Sequence, residues 1–317
     1  MVEELFKLFP LRSGLRSGGK SFVRAVDGVS FEVHEGQNLA IVGESGSGKT
    51  TLGRMICRLL KPTSGRIILN SRNIYSYNSL EYAKLVQPIF QDPYSALNPW
   101  KKIRQILEAP FKIHRINFGE RDLVELLDKV GLNKDFLNRY PHELSGGQRQ
   151  RIVIARALAL QPRLIVADEP VSGLDVTVQA QIIHLLKQIQ REDKTTYIVI
   201  SHDLHLVERL CSQVAVMYLG KVCEIGPVAR IVKNPLHPYT QSLLASFPSG
   251  HPEDRRWVES PPLSGEIPSA VNPPSGCRFR TRCPLAMPEC AQNEPPMLNV
   301  EDTHSVACPV VLGGWKN

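Results

Sequence analysis

The stretch that decides the fold of this chain is Gly43-Glu44-Ser45-Gly46-Ser47-Gly48-Lys49-Thr50. It fits the pattern G-x-x-x-x-G-K-[ST], and it lies between an apolar run at residues 39–42 and a helix-like run that begins at Thr51. Such a strand–loop–helix arrangement lets successive backbone N–H groups and a helix N-terminus surround a phosphate. We therefore predict that this loop, with Thr51, binds a nucleoside triphosphate. Lys49 would reach the β- and γ-phosphates, and Thr50 would bind Mg²⁺.

A second cluster is acidic and follows an apolar run. Residues 164–167 have the composition of a strand covered on both faces of a parallel sheet, and Asp168-Glu169 follow directly. An Asp-Glu pair alone is also typical of a plain acidic turn, but a phosphate loop lies upstream at about one-domain spacing. We predict that Asp168 contributes to the Mg²⁺ site and that Glu169 orients or deprotonates the attacking water.

Between these clusters lies Leu144-Ser145-Gly146-Gly147-Gln148, here called the signature sequence, followed by an amphipathic run. By composition it is a helix start, with Ser145 as the cap and glycines that let backbone amides approach an anion. In combination with the phosphate loop it resembles the LSGGQ signature of ATP-binding-cassette (ABC) ATPases. The resemblance extends from the N-terminus to about residue 235.

The resemblance implies further site residues, which occur in the order typical of the family. Gln91 looks like the glutamine that touches Mg²⁺ and water, Asp175 lies in the loop that links two nucleotide sites, and His202 looks like the histidine that contacts the γ-phosphate. It also implies that the signature sequence contacts the γ-phosphate held by a second cassette. The residues expected to do so are Ser145, Gly147 and Gln148. A complete site would then need two cassettes, with ATP at their interface.

An aromatic residue near the N-terminus stacks on the adenine in such cassettes. Phe22 is the best placed in this sequence and Phe9 the next, although a phenylalanine is more often part of a core. All six family motifs are intact, so the resemblance implies a hydrolysis-competent ATPase.

The predicted fold is α/β: a P-loop NTPase of the ABC type with an antiparallel β subdomain and an inserted helical subdomain at about residues 92–160. We predict an ATPase domain at residues 1–235 and a Pro- and Cys-rich extension at residues 236–317. Fifteen of the 24 prolines lie from Pro227 onward, so this end of the chain cannot be helix or sheet throughout. A segment of this kind is loop-rich or needs a staple.

Four of the seven cysteines lie in the extension, at Cys277, Cys283, Cys290 and Cys308. Their spacing, C-x5-C-x6-C-x17-C, is neither that of a zinc ribbon nor a common ferredoxin spacing, although four thiolates suit zinc or a [4Fe–4S] cluster. Unligated cysteines are the alternative. Three arginines surround the first pair and are expected to keep the thiolates ionised. They are Arg278, Arg280 and Arg282.

Three stretches resemble the oligopeptide/dipeptide transporter branch of the family: residues 91–99, 234–244 and 276–284. Members of this branch carry such an extension, and some hold a [4Fe–4S] cluster in it, which implies the four cysteines as ligands. The branch pairs two different ATPase chains with two membrane-spanning permease subunits and an extracellular binding protein. The Gln-Asp-Pro-Tyr form at residues 91–94 looks like the second ATPase of such pairs. Importers of nickel or oligosaccharides belong to the same branch and are alternatives for the cargo.

Composition limits the other classes. The sequence has no apolar run near the roughly 18 residues needed to cross a bilayer, and its acidic first residues do not resemble a signal peptide. We therefore expect a peripheral protein on the cytoplasmic face of the membrane, reached through its partners. A formal charge of +7 permits two rivals. One is a soluble ABC ATPase acting on ribosomes or nucleic acid, and the other is a metal-bearing nucleic-acid binder. The chain lacks a second cassette, a long coiled coil and an aromatic ladder, so no nucleic-acid partner is expected.

Overall fold

The computed structural model describes residues 1–11, 21–246, 265–301 and 303–314. By its internal contacts the chain divides into two compact units. The phosphate-loop unit comprises Met1–Glu32, Leu39–Asn70 and His202–Asn317, and the signature unit comprises Val33–Asn38 and Ser71–Ser201. The extension therefore falls in the same unit as the phosphate loop. The domain boundary predicted at residue 235 lies inside the phosphate-loop unit and stays a prediction.

An antiparallel sheet opens the phosphate-loop unit, as its strand-like entry predicts. β1 (Val2–Pro10) pairs with β2 (Phe22–Phe31) on one side and with β4 (Ser64–Leu69) on the other. The apolar residues Val26, Val29 and Val33 are candidate strand positions in the sequence. Val26 and Val29 lie in β2 and are buried, whereas Val33 lies beyond the end of β2.

A second group of strands in this unit starts with β3 (Leu39–Val42), whose four residues are all buried. β3 pairs in parallel with β9 (Gln213–Tyr218), and β9 turns back into β10 (Lys221–Pro227). The sequence predicts this hairpin from a strand-like run at residues 214–225 that is interrupted at Gly220-Lys221. The short strands β11 (Leu298–Glu301) and β12 (His304–Val306) extend this group, with β12 on β10. The helices of the unit are α1 (Lys49–Ile56), α8 (Leu204–Leu210), α9 (Val228–Lys233), α10 (Pro238–Ala245) and α11 (Glu289–Gln292).

The signature unit contains three parallel strands in the order β6 (Val86–Ile89), β7 (Leu164–Asp168), β8 (Thr196–Ile200). β7 and β8 are almost wholly buried, in line with a parallel sheet covered on both faces. The unit also contains the strand β5 (Arg72–Asn73) and the α-helices α2 (Ser79–Leu85), α3 (Pro93–Ala96), α4 (Ile103–His114), α5 (Glu120–Lys129), α6 (Gly146–Leu158) and α7 (Val176–Asp193). The helix-rich stretch predicted at residues 92–160 contains α3 to α6.

Glu224, on β10, anchors the extension to the rest of the phosphate-loop unit. Its fully buried carboxylate accepts hydrogen bonds from the backbone N–H groups of Leu236 (2.9 Å) and His237 (3.0 Å). The ring Nε2 of His304 lies 2.8 Å from the same carboxylate. A buried carboxylate is stable only when it is satisfied in this way. Glu224 thereby fixes both the approach to α10 and the strand β12.

Candidate nucleotide-binding and hydrolysis site

Two glycines of the phosphate loop are required by its close packing. A Cβ atom on Gly43 would lie 2.1 Å from the carbonyl oxygen of Met217, and one on Gly48 would lie 2.1 Å from that of Ala25. Both glycines also have positive φ, at 148° and 103°, which other residues rarely adopt. The loop backbone is therefore pressed against β9 and β2 in a conformation that only glycine permits.

The loop leads directly into α1, which begins at Lys49 and carries no acidic residue in its first turn. The Lys49 ammonium is buried and donates hydrogen bonds to the carbonyl oxygens of Gly43 (2.7 Å) and Glu44 (2.9 Å). Backbone N–H groups at a helix start and a lysine next to them favour a bound anion. Thr50 and Thr51 lie in the first turn of the same helix, so the predicted phosphate ligands at residues 43–51 share one loop and helix start.

Glu169 has an unusual backbone conformation in the signature unit. It follows Asp168, the last residue of β7, and its φ is +50°. Its N–H donates to the carbonyl of Ile200 at the end of β8, over 2.8 Å. A non-glycine residue held at positive φ by a neighbouring strand is the kind of local strain that collects at functional sites. The structure thus places both acidic residues at the carboxyl end of the parallel strand β7, as predicted.

The signature sequence starts α6, and Ser145 is its cap, as predicted. The N–H of Gln148 donates to Ser145 Oγ over 3.3 Å, and the N–H of Ser145 donates to Gln148 Oε1 over 3.0 Å. The Gln148 side chain therefore completes a capping box, a role that the sequence reasoning missed although the spacing S-x-x-Q signals it. A Cβ on Gly147 would lie 2.5 Å from Val178 Cγ1, so glycine lets α6 approach α7.

Three other candidate residues lie at element ends. Asp175 caps α7 by accepting from the N–H of Val178 (2.9 Å), so its side chain has a structural role besides the one predicted. Gln91 is exposed between β6 and α3. His202 precedes Asp203, which caps α8 through the N–H of His205 (2.8 Å). An aspartate directly before an amphipathic run predicts such a cap. His202 belongs to the phosphate-loop unit and the other two to the signature unit.

Both candidates for the adenine platform are accessible. Phe22 is 37% exposed and Phe9 36%. They lie on adjacent paired strands, where Phe22 is opposite Pro10. The Lys7 ammonium lies 5.1 Å from the centre of the Phe9 ring, within cation–π distance. Phe22 has no such cation in the described residues, so it stays the preferred prediction.

The four cysteines of the extension come from separate turns and lie near one another. Every pair among the four thiols interacts electrostatically, and the N–H of Cys277 donates to the carbonyl of Cys290 over 2.8 Å. Within the described ranges, however, no group of three or more His, Cys, Asp or Glu side chains is arranged so that it could hold a metal ion. The geometry therefore gives no support for a single-ion site such as zinc.

The arginines near these cysteines do not have the predicted role. Burial raises the pKa of the Cys277 and Cys308 thiols, and raises that of Cys283 to about 11. Arg278 pairs with Asp27, and Arg282 pairs with Glu44. Two of the three guanidinium groups are thus held by carboxylates, and Arg280 bonds to Ser275. Because the thiol pKa values are raised, the expectation that the arginines keep the thiolates ionised is wrong.

The contact between Arg282 and Glu44 was also missed. It joins the extension to the second residue of the phosphate loop, through Nη1–Oε2 at 2.7 Å and Nη2–Oε1 at 3.1 Å. The two residues are 238 positions apart in the chain, and neither motif contains a signal for the other.

A strand–loop–helix phosphate site, an acidic pair after a parallel strand and an LSGGQ helix start define an ATPase of the ABC class. The chain belongs to this family: residues 26–172 match the family model described as "ABC transporter", and residues 223–290 match "Oligopeptide/dipeptide transporter, C-terminal region". It is an ATP hydrolase of this family, whose members use ATP and Mg²⁺. No helix among the described residues has the length and apolarity to span a membrane.

Relatives and solved structures agree with this assignment. The chain is 48% identical to the oligopeptide transport ATP-binding protein AppF of Bacillus subtilis (strain 168), over 97% of this chain and 95% of that protein. It is 45% identical to the oligopeptide transport ATP-binding protein OppF of Salmonella typhimurium (strain LT2), over 90% of this chain and 87% of that protein. A dimeric ATP-binding cassette solved in a post-hydrolysis state with ADP and Pi superposes with a TM-score of 0.62 at 28% identity, over 72% of this chain and 97% of that one.

Proposed function

We propose that this chain is the ATP-hydrolysing subunit that energises the import of oligopeptides or dipeptides through a membrane transporter. The observation that carries the cargo class is the extension. Residues 223–290 match the oligopeptide/dipeptide transporter region, and relatives that span nearly the whole chain are named for oligopeptide transport. Nickel and oligosaccharides are the alternative cargoes, and no observation favours either.

Hydrolysis transfers the γ-phosphoryl group of ATP to water. The water oxygen forms a bond to the γ-phosphorus, the bond from phosphorus to the β–γ bridging oxygen breaks, and ADP and phosphate leave. We assign Glu169 to orient the water and take its proton, and Lys49 and His202 to neutralise charge on the γ-phosphate. Thr50, Asp168 and Gln91 are the residues that would hold Mg²⁺, which would supply further charge neutralisation.

A second cassette completes each site in this proposal. Ser145, Gly147 and Gln148 stand at the N-terminus of α6, a helix of 13 residues, where backbone N–H groups favour a phosphate. The capping box and the close approach of α6 to α7 hold this helix start rigid. It is therefore suited to present fixed donors to the γ-phosphate bound by the partner cassette.

The stretch after Gln91 is connected to the signature helix by two arginines of α6. Arg156 donates from Nη1 to the carbonyl of Ala96 over 2.5 Å, and the guanidinium of Arg149 lies 3.8 Å from the centre of the Tyr94 ring. A shift of α6 would therefore move α3 and the segment after Gln91. We propose this connection as the route from the ATP site to the permease.

Two large aromatic side chains of the segment after Gln91 are exposed: Trp100 is 87% exposed and Tyr94 65%. Aromatic residues are enriched at protein–protein contact sites. We assign this surface to the permease subunits, which would hold the protein at the cytoplasmic face of the membrane.

Purification from membranes tests the partners. We expect the tagged chain to copurify with two permease subunits and a non-identical second ATPase, and the extracellular binding protein to associate with the same complex. Recovery only as a homodimer with one type of permease would contradict the paired-ATPase arrangement. Recovery with ribosomes or nucleic acid and without permease would contradict the transporter role itself.

We also propose that Cys277, Cys283, Cys290 and Cys308 hold a [4Fe–4S] cluster. Four thiols that interact pairwise suit such a cluster, which Cys₄ sets bind. Each of the four thiolates would bind a different iron of the cluster, so the four sulfur atoms need not converge on one ion. Because this segment is rich in proline and turns, the cluster would act as a structural staple.

A further inference from the structure

The extension holds the phosphate loop through a partly buried ion pair. The Arg282 side chain is only 4% exposed and its partner Glu44 20%. The pair has two N–H···O bonds, at 2.7 and 3.1 Å. Bidentate guanidinium–carboxylate pairs fix orientation as well as charge. A pair this well shielded is not an incidental surface contact.

The extension also holds the backbone of Glu44. Its N–H donates to the hydroxyl of Tyr239 over 2.8 Å, and Arg282 also donates to the hydroxyl of Tyr218 over 3.3 Å. The rings of Tyr218, Tyr239 and Phe279 pack together with centroids 4.7 to 5.4 Å apart, and all three are buried. Tyr239 therefore holds the backbone of Glu44 and Arg282 holds its side chain, and both contacts are supported by the same buried aromatic group.

A second arginine supports the loop through a neighbouring turn. Arg278 forms a buried ion pair with Asp27 and donates to the carbonyl of Leu219. The next residue, Gly220, donates its N–H to the carbonyl of Ser47 in the phosphate loop, over 2.9 Å. The segment at residues 278–282 thus reaches the loop directly at Glu44 and indirectly at Ser47.

The charge of Glu44 gives this contact a functional consequence. Glu44 is a carboxylate inside a loop whose predicted ligand is a triphosphate, and like charges at short range oppose each other. Arg282 neutralises this carboxylate and fixes where it points. Without Arg282 the carboxylate would be unpaired and partly buried, which costs more than losing the pair altogether.

We propose that Arg282 is a positioning residue for ATP binding. It neutralises and orients Glu44 so that the phosphate loop accepts a triphosphate, and the extension thereby sets the affinity of the nucleotide site. This inference rests on the proposed function of the phosphate loop as the ATP site. It assigns to the extension a role in the ATPase cycle that its distance along the chain does not suggest.

A suppressor experiment tests the proposal. Calorimetry gives the Kd for MgATP of the full-length chain carrying Arg282→Ala, Glu44→Ala or both changes. We expect Arg282→Ala to weaken binding about tenfold or more, and the double variant to bind nearly as well as Glu44→Ala, because no carboxylate is then left unpaired. Wild-type affinity in Arg282→Ala would overturn the proposal, and so would a double variant as weak as Arg282→Ala.

Matched variants separate this inference from simpler explanations. The Arg280 guanidinium bonds to Ser275 within the extension, at 2.9 and 3.4 Å, so Arg280→Ala is expected to bind MgATP normally. An equal loss in Arg280→Ala would show general damage to the segment and contradict a specific role for Arg282. If Arg282→Ala does not fold, Arg282→Lys keeps the charge but cannot form both bonds. It is expected to weaken binding about threefold, and unchanged affinity would overturn the proposal.

Lys49→Ala separates the role of the phosphate loop as the ATP site from the role of Arg282 in positioning it. Its expected loss of MgATP binding supports the phosphate loop as the ATP site, whatever Arg282→Ala does. If Lys49→Ala bound MgATP like the wild type, the proposed function of the loop would fail. If Lys49→Ala lost binding while Arg282→Ala did not, only the role of Arg282 would fail.

Discussion

Glu169→Gln is expected to bind MgATP with unchanged affinity and to lose about 100-fold or more of the ATP turnover. The amide has the shape of the carboxylate but cannot take a proton from the attacking water. Glu169 lies at the carboxyl end of β7 with φ at +50° and its N–H fixed on Ile200. The substitution keeps this backbone position and the shape of the side chain, so it removes the proton-accepting chemistry alone. Phosphate release gives kcat, and calorimetry gives the Kd for MgATP.

The control for this substitution is Glu192→Gln. Glu192 is an exposed residue of α7 whose carboxylate accepts a hydrogen bond from Gln188 over 2.8 Å, and its replacement is expected to leave turnover unchanged. Steady-state hydrolysis at the wild-type rate in Glu169→Gln would remove Glu169 from the catalytic role. Loss of MgATP binding in Glu169→Gln would assign it a role in binding instead.

The second large effect concerns the metal content of the extension. Anaerobically purified protein is expected to contain about four irons and four acid-labile sulfides per chain, with the visible absorbance of a [4Fe–4S] cluster. Cys283→Ala is expected to lose most of this iron, because the cluster then has three thiolates instead of four. Elemental analysis, sulfide determination and the visible spectrum measure the effect independently of ATPase activity.

Cys57→Ala is the matched control for the metal experiment. Cys57 follows α1 at its C-terminal end, away from the extension in sequence, and its replacement should leave the iron content unchanged. One zinc and no iron would show a zinc site instead of the cluster. The arrangement of the described side chains does not support such a site. Absence of metal would eliminate the four-cysteine site and leave the ATPase assignment intact.

Local patterns predicted the parts of the site that depend on local chemistry. The phosphate loop, the Ser145 cap, the Asp203 cap and the hairpin at residues 213–227 follow from residue types at short spacing, and the structure contains each of them. The predicted α/β fold is confirmed by the solved cassettes that resemble the chain. These features were predictable because a turn, a cap or a strand is determined largely by its own residues.

Long-range contacts could not be predicted in the same way. Arg282 and Glu44 are in contact because the extension packs against the phosphate loop within one unit. No short sequence pattern specifies this packing. The same applies to the three arginines near the cysteines: proximity in sequence suggested that they face the thiols, whereas Arg278 and Arg282 reach carboxylates elsewhere. The dual use of Gln148 as a capping residue was visible in the sequence, but the functional interpretation of the signature obscured it.

Peptide uptake by cells shows whether ATP hydrolysis by this chain drives peptide import. Cells whose chromosomal copy of this chain is replaced by the wild-type or the Glu169→Gln form are supplied with a radiolabelled tripeptide, and the initial rate of accumulation is measured. We expect rapid uptake with the wild type and near-background uptake with Glu169→Gln, at equal levels of the protein in the membrane. Equal uptake by the two strains would contradict the claim that ATP hydrolysis by this chain drives peptide import.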